Sequence, residues 1–545
     1  MKKAGGLIYL ARRSNETRGK KSAMISCNKI FRLLLLAAAG VLAGTAPSVN
    51  VPMDYWGYAF LERMESRGLI FSHELRVRPL SRTAFAGLVR QAGEQARQNP
   101  ERFSRTEKKM LDQLLGDFFD ELNPTATERS PERHLLTWRE KNSLIHFDLH
   151  ANQTILSNRG HQYQPDALIS ETCGGGILRG TLDQTVGFYL DARNTLTRGN
   201  QKTEEHFDPS QGAPVVIAGS NVYQDQALAY WTWQNTWFRV QAGRDEIAWG
   251  PGFHGGLSLS GNTPAAELIR INAFFRRFSF SYVHAFLRSN LGSKYLAGHR
   301  LDFMVKPGLY LGATETVVYG GRDVQFAYLN PIMPIHIAQH HLGDKDNKTI
   351  SLDLTWTPWF GGKLYGEFFI DDMTSTESLI RYFGNKFAFL LGGQFINPLR
   401  IADTDLRIEY ARVEPYVYSH YDSINIYTNY NQLIGHWLGP NADGLFLQLG
   451  WQPLRDFRIE LSLQQQRKGE GDADTRSRPA QGVEKKFLRG VVQKQKIFGI
   501  KIREQVYRDF FIAVHYRYAD VRNVHRQAGI NSFDHSARFE LDLNY

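Results

Sequence analysis

From about Leu144 to the last residue, Tyr545, the chain repeats with a period of two. Ile145, Phe147, Leu149 and Ala151 alternate with His146, Asp148, His150 and Asn152. Ile350, Leu352, Leu354 and Trp356 alternate with Ser351, Asp353, Thr355 and Thr357. Phe457, Ile459, Leu461 and Leu463 alternate with Arg458, Glu460, Ser462 and Gln464. The final run sets Ala537, Phe539, Leu541, Leu543 and Tyr545 against Arg538, Glu540, Asp542 and Asn544. Successive side chains of a strand point to opposite faces, so each run is a strand with one apolar and one polar face. About sixteen to eighteen such runs occur, separated by turn signals.

Two folds satisfy this pattern. A soluble β-protein turns the apolar face inward; an outer-membrane barrel turns it to lipid and keeps the polar face for a wet lumen. Three features favour the barrel. The polar faces carry charges of both signs. Trp356, Trp359, Tyr416, Trp451 and Tyr518 lie near run ends, where interfacial aromatic girdles belong. The chain also begins with an export leader. A basic stretch ends at Arg32, the apolar run 33–43 follows, and Ala43, Gly44 and Ala46 supply small residues for cleavage. Residues 1–46 are therefore read as a signal peptide, with Met24 an alternative start. An open sheet edge in lipid leaves backbone groups unpaired, so the last strand must close on the first.

The leader also explains the charge. The whole chain carries +10, but residues 1–46 hold nine basic residues against Glu16, and the remainder carries only +2. That near-neutral balance argues against nucleic acid as a partner. A mean hydropathy of −0.38 with one long apolar run excludes a multi-helix membrane protein. With 34 Phe, 24 Tyr and 10 Trp the chain is not disordered. Cys173 is the one cysteine beyond the leader, so no internal disulfide is expected.

Residues 47–132 read differently. Phe85, Leu88, Val89 and Ala92 fall at helical spacing, as do Leu111, Leu114, Leu115, Phe118 and Leu122. Ser104 and Glu107 have capping-box spacing, and residues 55–69 form a third helical candidate. The polar stretch 123–132 reads as a linker, leaving residues 133–545 for the barrel.

Three stretches concentrate unusual residues. Residues 242–265 are rich in glycine. They form either a turn folded into the lumen, packing Trp249 and Phe253, or a recognition loop offering Arg244, Asp245, Trp249 and His254. Residues 328–347 break the strand pattern with two prolines, forming a loop with about one helical turn. Asn330, Asp344, Asp346 and Asn347 are its candidate ligand contacts; His336 and His340 lack a third ligand for a metal. Residues 416–432 are rich in Tyr, Asn and Ser, and Tyr418 and Tyr421 are candidates there. Asp371 and Asp372 end a strand at the rim. No Gly-x-Ser-x-Gly, His-Glu-x-x-His or phosphate-binding loop occurs, so no catalytic residue is nominated and no cofactor is called for.

The runs RDEIAWGPGFHGGLSLSGNTPA, LNPIMPIHIAQHHLGDKDNKTISLDLTW, LYGEFFIDD and LIGHWLGPNADGL, in that order, resemble the capsule-assembly Wzi family of bacterial outer-membrane proteins. The resemblance implies an antiparallel transmembrane barrel with eighteen strands favoured over sixteen, and helices in the periplasm before it. It implies a lectin-like protein that holds capsular or extracellular polysaccharide at the cell surface, without catalysis. Outer-membrane lipid and the barrel assembly machinery are the further partners of such a barrel. A channel for small solutes is the alternative reading, and a glycan or lipid hydrolase a more distant one.

Overall fold

The computed structural model describes residues 48–124, 130–160, 166–199, 213–218, 221–373, 382–474 and 484–544. The expected leader lies outside the described residues. So does part of the expected linker, residues 125–129.

Eighteen antiparallel strands close into one barrel. They are β1 (Ser143–Arg159), β2 (Ala167–Leu182), β3 (Val186–Gly199), β4 (Asn221–Gln234), β5 (Phe238–Asp245) and β6 (Ala266–Phe274). Then come β7 (Phe278–Leu287), β8 (Lys294–Lys306), β9 (Leu309–Gly320), β10 (Asn347–Trp359), β11 (Gly362–Asp372) and β12 (Lys386–Ile396). The remainder are β13 (Thr404–Val413), β14 (Ala442–Leu454), β15 (Phe457–Lys468), β16 (Gln493–Tyr507), β17 (Phe510–Arg522) and β18 (Asn531–Asn544). Strand β18 pairs with β1, setting His535 opposite Arg159 and Leu543 opposite Ala151. Every edge is thereby satisfied, as hydrocarbon requires.

The alternation read from the sequence becomes the two surfaces of the wall. Leu301 and Phe303 on β8, Leu352 and Leu354 on β10, Leu391 on β12 and Leu463 on β15 are exposed on the outside. Their neighbours in sequence, such as Arg300, Asp302 and Asp353, are buried inside. Trp356, Trp359 and Trp451 lie exposed near one end of the barrel, where a girdle is expected. Tyr416 is an exception: it lies in the loop after β13, beyond the strand.

The two ends differ. At one end the turns are short, as at residues 307–308, 360–361, 455–456 and 508–509. At the other end residues 246–265, 321–346, 414–441 and 469–492 connect the strands.

The short-turn end is covered by a helical unit. Helix α1 (Gly57–Ser66), α2 (Arg82–Gln98) and α3 (Arg105–Asp117) pack around Phe85, which stacks on Phe118 at 4.7 Å and meets Tyr58 edge-on at 5.2 Å. The capping box forms as the spacing predicts. The Glu107 amide donates to Ser104 Oγ at 3.0 Å, and the Ser104 amide donates to Glu107 Oε2 at 2.8 Å. Helix α2 runs six residues past Ala92, the last apolar position in the spacing, with Gly93 buried and Ala96 packed against the same core. The unit is fastened to the barrel turns. Gly361 N donates to Ser66 O at 3.0 Å, and Thr106 Oγ1 to Pro453 O at 2.9 Å. Among the described residues no helix is long and apolar enough to cross a membrane.

Candidate functional site

The lumen is filled from both ends by the chain itself. Three short segments, Val77–Arg78, Ala248–Trp249 and Leu259–Ser260, form a small antiparallel sheet inside the barrel. It joins the N-terminal unit to the glycine-rich loop. Trp249, its centre, is 1% exposed and packs with Leu257, Leu268, Val283 and Leu296. A Cβ at Gly298 would sit 3.1 Å from the Trp249 ring, so glycine permits this approach to the wall.

Buried charges lock the filling in place. Glu62 on α1 accepts from Arg407 of β13 at 2.6 Å and from Arg78. Burial alone pushes its carboxyl up, yet the guanidinium groups of Arg407 and Arg78 and the Lys363 amine hold it well below the usual range. Arg63 bridges Glu107 and Asp405, each at 2.7 Å. Glu65 takes Arg76 at 2.6 Å and Lys363 at 3.3 Å. Asn50, on the strand-like entry to the unit, donates to Asp245 at 2.6 Å and Gln241 at 3.0 Å.

From the opposite end residues 414–441 fold inward onto the same loop. Tyr418 is fully buried; its hydroxyl donates to Leu257 O at 2.7 Å and accepts from His436 N at 3.0 Å. Its ring stacks on Tyr427 at 5.7 Å, and the Tyr418 amide donates to Asp371 at 2.5 Å. Glu409 accepts the amides of Phe253 and His254 at 2.7 and 2.9 Å. His254 stacks on Phe446 at 3.9 Å, and burial pushes its imidazole down to about 4.

The ten residues singled out in the sequence therefore separate into groups. Trp249, Tyr418 and Asp245 are buried in the filling, and His254 is half-buried against it. Arg244 shares the opposite strand face from Gln241 and Asp245 and pairs with Glu267 at 2.9 Å. Asp346 and Asn347 are buried in loop contacts. Asp346 accepts from Arg322 at 2.6 Å and Tyr328 at 2.7 Å, and Asn347 donates to Asn425 O at 2.9 Å. Asn330 is exposed and accepts from Ile332 N. Only Asp344 and Tyr421 come near one another at an open surface. Tyr421 is 54% exposed, and its hydroxyl donates to Lys345 O at 3.4 Å. The His420 and Tyr421 rings lie 4.2 Å apart. His336 and His340 face each other at 3.3 Å, and no group of three metal-ligating side chains occurs among the described residues. Asp371, expected at the rim, turns inward to Tyr418.

A cavity of about 210 Å³ lies between the helical unit and the barrel wall. Trp56, Phe253, Phe511, Arg407 and Arg503 are among its lining residues, and Arg407 lies 3.9 Å from the centre of the Phe253 ring. The sequence signal for Phe253 was its place in the glycine-rich run. Nothing in the sequence alone pairs it with Arg407, about 150 residues away.

A closed antiparallel barrel with an apolar outer surface and a polar, self-filled lumen is an outer-membrane β-barrel. The chain belongs to the capsule assembly protein Wzi family, whose model matches residues 150–534. Its fold is similar to the solved outer-membrane protein Wzi of Escherichia coli, described as a carbohydrate-binding β-barrel involved in group 1 capsule assembly. That match is 14% identical, covers 91% of this chain and 99% of the other, and has a TM-score of 0.57. OccAB1 of Acinetobacter baumannii is 8% identical over 74% of this chain and 96% of its own, with a TM-score of 0.46. No curated protein matches the chain in sequence.

Proposed function

We propose that this barrel binds exported capsular or extracellular polysaccharide and retains it at the cell surface, acting as a binding protein and not as an enzyme. The observation that carries the reading is the seam between two long loops at the rim. There the exposed Tyr421 and its neighbour His420 stand beside Lys345 and Asp344. Aromatic faces take the apolar side of a sugar ring, and charged or amide groups take its hydroxyls or carboxylates. Family membership supports the reading, as does the carbohydrate binding described for the Escherichia coli protein.

In this reading residues 1–46 are a cleaved leader, and the short turns with the helical unit over them face the periplasm, as short barrel turns generally do. Lipid surrounds the belt, and the barrel assembly machinery inserts it. The second reading, solute conduction, draws on half-buried polar groups inside the barrel near β17 and β18, such as Arg538 and His515.

Cell-bound and released polysaccharide, measured with total polysaccharide, tests the reading. Tyr421→Ala should weaken binding by about two- to tenfold, the worth of one aromatic contact. The bound fraction falls while the total stays constant. A changed total or chain length would point to export or cleavage instead.

A further inference from the structure

The outer wall of strands β7–β9 has a polar section where a lipid-facing wall should be apolar. His284, His299, Glu315 and Tyr319 share the outward face with Leu301, Phe303 and Leu311. His299 pairs with Glu315 at 2.9 Å, and His284 with the Tyr319 hydroxyl at 2.8 Å. In register with Glu315 stands Ile350, and opposite Ile350 stands Ile370, so the neighbouring strands are apolar on this row.

Residues 321–346 fold down over the polar patch from outside. Tyr282 donates to Tyr328 O at 2.8 Å, and Ile335 N donates to Glu315 at 3.0 Å. Tyr328, Ile335 and Ala338, the latter two on helix α4 (Ile335–His341), are buried against Tyr295, Ala297 and Val317. The outer surface of this cover carries an apolar patch, with the exposed His336, His340, Asp344 and Lys345 beside it. Phe326 is 87% exposed, Ile332 82% and Ile337 46%. Large apolar side chains so fully bared by a loop are unfavourable in water, and such patches mark contact surfaces.

We propose that residues 321–346 are a lipid-contacting apron that restores the apolar belt over a polar section of wall. Phe326 and Ile332 enter the acyl region of the leaflet at the long-loop end. Lipid is the occupant because the patch continues the exposed row of Leu301, Phe303, Leu352 and Leu354, which faces the membrane already. Backbone polar groups of the apron are kept from hydrocarbon by its helical turns and by its bonds to the wall. The apron shelters the imidazole–carboxylate pair of His299 and Glu315 from acyl chains.

The test uses the full chain with Cys27 and Cys173 replaced by Ser. Single cysteines are placed by Ile332→Cys, Phe326→Cys, Leu391→Cys as a belt control, and Tyr421→Cys as a rim control. Each carries an environment-sensitive fluorophore in phosphatidylcholine vesicles, after heat-modifiable migration has shown a closed barrel. Brominated acyl chains should quench positions 326 and 332 by about twofold, as they quench 391, while aqueous iodide quenches only 421. Iodide quenching at 326 and 332 without quenching by bromolipid overturns the proposal. Protection from both quenchers also overturns it, because a protein surface would then cover the patch. Using two apron positions keeps the test decisive if one variant does not fold.

Discussion

The two halves of the lumen are built from the same alternating strands and end up as different environments. On the side of β8–β11 the inward residues are sealed: Thr316 is 0% exposed, and Arg300 and Ser351 are each 1%. Across the barrel, on β17 and β18, some inward charges stay partly wet, although Asp534 on β18 is buried. The Arg538 side chain is 40% exposed and His515 28%, although they pair with Glu171 and Glu540. Strand periodicity thus determines which residues point inward. Loops and the N-terminal unit determine which of them lose water. Buried ion pairs on the sealed side hold elements far apart in sequence, as Glu62 holds Arg407. Pairs on the wet side stay within one strand or join strands one or two apart, as Arg538 and Glu171 do, and add little.

The largest effect should come from erasing the contrast. Deleting residues 48–122 removes the helical unit and the first segment of the inner sheet, leaving both halves wet. Single-barrel conductance in planar bilayers should rise by about tenfold or more, as lumen width and contents set passage. An unchanged conductance would mean that residues 246–265 and 414–441 alone fill the sealed half.

Next come single substitutions on each side. Trp249→Ala opens a cavity at the centre of the filling and should cost about 3–5 kcal/mol. Glu62→Ala leaves Arg407 and Arg78 buried without their carboxylate, a loss of about 3–5 kcal/mol. Urea titrations followed by limited proteolysis of the helical unit would read both. Arg538→Ala on the wet side should cost under about 1 kcal/mol in the same assay. A loss there as large as at Glu62 would abolish the distinction between the halves.

Much of this architecture is legible in the sequence because strand alternation and helix capping are local. The runs at Ile145, Ile350 and Phe457 lie within strands, as does the run at Ala537 as far as Asn544, Tyr545 lying outside the described residues; Ser104 caps its helix as the spacing predicts. The site is less legible, because burial there is decided by contacts distant in sequence. Tyr418 and Tyr421 are three residues apart in one polar loop, yet the first is fully buried and the second is 54% exposed. No local signal separates them: the difference arises because residues 414–441 dock on Leu257 and Glu409 holds the facing loop. Likewise residues 328–347 read as a loop, but they pack against the outside of β8 and β9 on Tyr295 and Val317, a surface that their own residue pattern does not reveal.

The smallest expected effect is one of pH, and it separates the two elements that fill the sealed half. Burial lowers His254 from 6.5 to about 4, so its neutral form is the one the fold accepts. Its contribution is complete above about 6.5 and is lost as the pH falls from there through 4. Glu62 behaves differently. Its carboxyl is held well below 4.5, so its contribution is complete above 4.5 and is lost only as the pH falls through that depressed value. Mild acid, near pH 5, should therefore loosen residues 246–260 while the helical unit stays fastened. Amide hydrogen exchange at pH 7 and pH 5, corrected for the intrinsic rate, should show protection of that loop falling by about tenfold or less, with α1 unchanged. His254→Phe keeps the stack on Phe446 and removes the titrating group, so it should flatten the pH response of the loop. If α1 loses protection together with the loop at pH 5, the two elements form one cooperative unit, and the charges at Glu62 do not fasten the helices independently.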